Sequence, residues 1–80
     1  RTARFDVFPN PATSTLNFDL SGLEGNKQIL VLDATSRTVL HTSTAGQRMV
    51  LQVQHLLAGV YMVTVIANEK TSTLRVVVQH

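Results

Sequence analysis

A chain of 80 residues with Leu, Ile, Val and Phe at 26 positions and a formal charge of only +2 holds enough apolar side chain to fold, and is too short to divide into two cores. The absence of cysteine excludes disulfides, thiolate metal sites and cysteine nucleophiles. No apolar run approaches the ~18 residues of a membrane helix, so no membrane span is expected.

Arg1 stands first and no charged-then-apolar leader follows, so residues 1–80 read as one domain cut from a longer chain, with 1–3 as the tail of a linker. The seven cations are spread from Arg1 to Arg75, with one Tyr and no Trp. Nucleic-acid binding needs a cationic stripe with interleaved aromatics, so no nucleic acid is expected as a partner.

Eleven Val, two Ile and ten Thr are β-branched and favour pleated backbone. Phe5 and Val7 alternate with polar neighbours in a short first strand, which Pro9-Asn10-Pro11 ends because two φ angles are fixed and two N–H donors are missing. Leu16, Phe18 and Leu20 alternate with polar residues in a second strand. After the Gly22–Asn26 turn, Gln28–Leu32 is a nearly continuous apolar run, the sign of a central strand covered on both sides or of a swap between faces. Asp33–Arg37 turns the chain, with Asp33 and Ser36 able to bond nearby N–H groups, and Thr38–Thr42 returns as a hairpin partner.

A fifth strand alternates Met49, Leu51 and Val53. Leu56-Leu57-Ala58-Gly59-Val60-Tyr61 then sets an apolar anchor, a glycine and a tyrosine ahead of Val63 and Val65. A tyrosine at this place in Greek-key sandwiches packs inward while its hydroxyl bonds backbone at the preceding corner, and Tyr61 is read in that way. Asn68-Glu69-Lys70 connects tightly to a last strand carrying Leu74, Val76 and Val78. The expected fold is therefore all-β, an immunoglobulin-like antiparallel β-sandwich of about seven strands.

Chemistry is sparse. His41, His55 and His80 have no metal-ligand spacing, the five acids are scattered over separate strands and turns, and the glycines form no phosphate cradle. No catalytic residue, metal or cofactor is expected. The one Tyr is claimed by the corner, which argues against sugar stacking, with Phe5, Phe8 and Phe18 left without an assigned face. The Val76-Val77-Val78 run is apolar on both faces. It fits a buried final strand, or an edge offered to a partner strand or to a second copy as a dimer.

Val7-Phe8-Pro9-Asn10-Pro11-Ala12, then Leu32-Asp33 with Arg37 and Val39, then Leu56 and Gly59-Val60-Tyr61 before a Val-rich strand, together resemble the C-terminal sorting domain of the type IX secretion system. The resemblance covers nearly the whole chain, in order. It implies an immunoglobulin-like domain that directs a passenger through an outer-membrane translocon and is passed by a shuttle protein to a surface sortase. That sortase cuts on the domain's N-terminal side, here at or before Arg1–Arg4, and joins the passenger to anionic lipopolysaccharide. The implied route runs through the periplasm to the outer-membrane surface or the extracellular space. Two departures stand out: Ser36-Arg37 replaces the family's usual Gly-Arg, and Gln79-His80 replaces a terminal lysine.

Under this resemblance the residues expected to meet partners are Asp33 and Arg37 in the turn and Leu74, Arg75, Val76, Val77, Val78, Gln79 and His80 in the last strand. Pro9, Asn10, Pro11, Gly59 and Tyr61 are expected to build the fold. The alternatives are a retained domain of a secretion-machinery component, or a fibronectin-like or glycan-binding appendage of a secreted enzyme.

Overall fold

The computed structural model describes residues 5–79. All seven expected strands are present: β1 (Asp6–Phe8), β2 (Thr15–Asp19), β3 (Lys27–Leu32), β4 (Thr38–Thr44), β5 (Arg48–Gln52), β6 (Gly59–Ala67) and β7 (Lys70–Val78). They form two antiparallel sheets, one of order β1-β2-β5 and one of order β4-β3-β6-β7. The chain crosses between sheets after β2, β4 and β5, the long-connection pattern of Greek-key sandwiches.

Period-two alternation sets which side of each strand faces inward. In the smaller sheet Val7, Phe18 and Met49 lie opposite one another, as do Leu16 and Leu51, and this row faces Ile29, Val31, Val63, Val65, Val76 and Val78 of the larger sheet. Phe18 is the largest side chain fully buried there. Val53 and Leu56, after β5, close one end of the core.

The apolar run of β3 is explained by its central place between β4 and β6. Ile29 and Val31 are wholly buried, whereas Leu30 and Leu32 are half-buried on the outer face. The run is thus covered on one side only. A bulge between Val31 and Leu32 adds a residue to β4 at Thr38–Val39.

The β6–β7 connection is a two-residue turn in which both Asn68 and Glu69 have positive φ, 52° and 66°. That turn geometry matches the right-handed twist of a hairpin, and it fixes the register from Ala67↔Lys70 to Gly59↔Val78.

Lys27 lies in the core wall, 1% exposed. Its inward place follows from alternation with Ile29 and Val31, and its Nζ donates to the carbonyls of Gly25 at 2.8 Å and Ala45 at 3.4 Å. The aliphatic stem covers core while the ammonium ties together two loops.

Candidate functional site

After Phe8 the chain leaves the smaller sheet and runs along the free edge of β7 in the larger one. There Ala12 forms a parallel bridge with Val78, its N–H donating to Val77 O at 2.8 Å and its carbonyl accepting from Gln79 N–H at 2.8 Å. Two residues earlier the Asn10 side chain does the work of a peptide group. Its Nδ2 donates to Arg75 O at 3.2 Å, and its Oδ1 accepts from Val77 N–H at 3.0 Å. Pro9 and Pro11 have no N–H to offer a ladder, so the side-chain amide supplies the pairing that the backbone lacks.

Residues 10–12 therefore shield the C-terminal half of β7, the place where an open edge invites pairing with another chain. Asn10→Ala should lower stability by roughly 1–2 kcal/mol, from two exposed hydrogen bonds, and should promote concentration-dependent self-association. Urea midpoints together with sedimentation velocity check this, and a variant unchanged in both would contradict the capping role.

The geometry corrects part of the surface read from sequence. Val76 and Val78 are each 1% exposed, because their side chains lie on the inner face opposite Tyr61 and Gly59. Their side chains fill the core. Outward from β7 point Arg75, which is exposed, and Val77, which is half-buried, while Leu74 is 38% exposed at the sheet edge. Gln79 is exposed. His80 lies outside the described residues, as do Arg1–Arg4.

At the same end of the larger sheet stands the β3–β4 turn. Asp33 Oδ1 accepts from the Thr35 hydroxyl at 2.6 Å, from Thr35 N–H at 2.9 Å and from Arg37 N–H at 3.0 Å. The Thr35 hydroxyl, followed by the Arg37 N–H, holds the Asp33 carboxyl below the usual aspartate range. The Arg37 guanidinium reaches Asp33 Oδ2 at 3.6 Å but is 82% exposed, so it adds little stability. Ser36 adopts φ 70°, the conformation in which glycine is less strained. The Asp33 cage holds the turn in place with serine there.

Tyr61 forms the expected corner. It is 6% exposed, and its hydroxyl donates to Leu57 O at 2.6 Å. Four residues of separation make this a local contact, pinning the loop between Leu56, which is buried, and Leu57, which is 84% exposed. Tyr61→Phe should cost roughly 1–2 kcal/mol with the fold retained; an unshifted urea midpoint would contradict the assignment. Gly59 precedes it with φ 158° and nothing within 4 Å of a would-be Cβ, so backbone conformation rather than space favours glycine.

The groups that could carry chemistry are dispersed. His41 and His55 are exposed, and among the described residues no three His, Asp or Glu side chains gather as a metal site would require. Of the four aromatic residues, Phe5, Phe18 and Tyr61 are buried, and Phe8 is 51% exposed. Phe8 borders a shallow depression on the outer face of the smaller sheet, with Asn17, Asp19, Arg48 and Val50. A single phenylalanine is a narrow platform for a sugar.

Sequence reasoning missed the roles of Lys27 and Asn10. The alternation through Ile29 and Val31 points Lys27 inward. Nothing local signals that Asn10 pairs with residues 65 and 67 positions away.

Comparison with known proteins bears on this arrangement directly. Residues 6–79 match the secretion system C-terminal sorting domain, a span that takes in every strand from β1 to β7. No curated protein matches the chain. A solved structure of PorZ, described as an essential bacterial surface component of the type-IX secretion system of Porphyromonas gingivalis, superposes with a TM-score of 0.80 at 21% identity. The match covers 95% of this chain and 11% of that one, and at this identity it speaks for the fold. With a match across the whole sandwich, the chain belongs to the family of secretion system C-terminal sorting domains, the sorting signals of type IX secretion.

Proposed function

We propose that this domain is the export address of a longer protein, read by the type IX machinery as a folded object. The observation that carries the proposal is the coincidence of boundaries. The family match runs over residues 6–79, and the hydrogen-bonded sandwich begins at β1 and ends where Gln79 bonds Ala12. A signal coextensive with a cooperative fold is presented only when that fold is complete. In this reading the domain and its passenger traverse the periplasm, pass an outer-membrane translocon with the help of a shuttle protein, and meet a surface sortase. That sortase cuts at or before Arg1–Arg4 and attaches the passenger to anionic lipopolysaccharide. The domain contributes shape and surface, with the chemistry belonging to the sortase.

The test is sufficiency. A reporter placed behind a secretory leader and ahead of residues 1–80, expressed in a bacterium with a working type IX system, should reach the cell surface or medium, and the same reporter without residues 1–80 should stay in the periplasm. Retention of both forms, in cells that export their own cargo, would refute the proposal.

The PorZ likeness supports a second reading, since there a domain of this fold occupies 11% of a surface component of the machinery. A domain kept in the mature protein would fit that case. Mass spectrometry of the surface form separates the two: cargo is found without residues 5–79, and a machinery component with them.

A further inference from the structure

A sheet with one face in water ordinarily keeps that face polar, each strand alternating apolar-in with polar-out. The smaller sheet follows this along β2, presenting Thr15, Asn17 and Asp19 outward on the opposite side to Leu16 and Phe18, with the exposed Phe8 and Val50 flanking Asn17. The larger sheet departs from it over a longer stretch. Outward from β6 point Val60, Met62 and Ile66, with Thr64 the one polar residue among them, because their alternates Tyr61, Val63 and Val65 are buried. The register sets Leu32 beside Met62 and Val77 beside Val60, and the β4 bulge brings Val39 to the same end. Val39, Val60 and Met62 are 36%, 43% and 38% exposed. Contiguous apolar surface of this kind on a small domain marks a contact site.

Charge at the rim selects the occupant. Arg75 lies directly beside Met62 in the register and is exposed. The acid at this end, Asp33, is already engaged by Thr35 and Arg37. A second copy placed face to face would bring another Arg75 and no free carboxylate. A different protein bearing an apolar patch flanked by Asp or Glu would satisfy both features.

We propose that the outer face of the larger sheet, centred on Met62, Val60 and Val77 and flanked by Arg75, is the docking surface for a partner protein that presents an apolar patch edged by carboxylates. This rests on the sorting reading above and names the face that the machinery would hold.

The test places a photo-crosslinking benzophenone side chain at position 62 of the full-length protein in its own cells, with position 17 on the opposite outer face as control. The expected result is one crosslinked partner from position 62, at least tenfold above position 17, with an acidic residue in the crosslinked peptide. Arg75→Glu should reduce its yield at least tenfold, and Arg75→Gln by less, both at an unchanged melting temperature. If Arg75→Glu destabilises the domain, the comparison rests on Arg75→Gln together with Val60→Thr. A product at position 62 that is a second copy, equal yields from positions 62 and 17, no product, or insensitivity to residue 75 would each overturn the proposal. Export blocked by removing residues 1–80, combined with any of those results, leaves the sorting reading standing. Export that persists without the domain ends both.

Discussion

Phe18→Ala is expected to remove roughly 3–5 kcal/mol of the domain's folding stability. Phe18 is the largest of the fully buried side chains, and it lies in β2, the middle strand of the smaller sheet, opposite Val7 on one side and Met49 on the other. Truncating such a phenylalanine costs about 3–5 kcal/mol, from lost transfer energy and from the cavity that remains. Domains carry roughly 0.05–0.15 kcal/mol per residue, which places an 80-residue chain at about 4–12 kcal/mol in total. The loss is therefore a large share of the whole, with no disulfide to limit the unfolded state. Urea denaturation followed by circular dichroism measures it. A midpoint near that of the unmodified domain would mean that the two sheets do not pack through Phe18. In the reporter assay the unfolded fraction of this variant should remain in the periplasm, because an address read as a shape disappears with the shape.

The same alternation that made the strands legible limited what else could be read. Leu16, Phe18 and Leu20 are separated by polar residues, so their inward face was evident from the pattern alone. In β6, Val60 to Ile66 is apolar on both faces apart from Thr64, so the period of two by itself leaves the rows equal; the inward Tyr61 singles out Val63 and Val65, and only the structure shows that Val60 and Met62 on the other row remain open. The β7 valines carry the same ambiguity, which is why the Val76-Val77-Val78 run fits a buried final strand as well as an edge offered to a partner. Local contacts fared better. Tyr61 bonds a carbonyl four residues back and Asp33 bonds groups two and four residues ahead, so the residue types and spacing announced both. Asn10 reaches across 65 residues, and its role arises only when the corner meets the β7 edge.

Deleting Leu74–His80 should abolish export, and the structure indicates that it does so by destroying the fold. The deletion removes Val76 and Val78, both 1% exposed, each worth about 1.5–3 kcal/mol of burial. It also strips β6 of its partners from Gly59↔Val78 to Val63↔Leu74, and it removes the acceptors and donors that hold Asn10 and Ala12. The newly exposed edge of β6 is long and apolar, a template for aggregation. The truncated chain should lose its cooperative urea transition, show poor amide dispersion in NMR spectra, and associate with itself as concentration rises. A truncation that stays monomeric and unfolds cooperatively, yet strands its passenger, would mean that the last seven residues are read directly as a linear tag. Met62→Glu, which alters the outer face and leaves Leu74–His80 unchanged, separates the same alternatives from the other side: export lost with the fold intact assigns the signal to the surface of the sandwich rather than to the end of the chain.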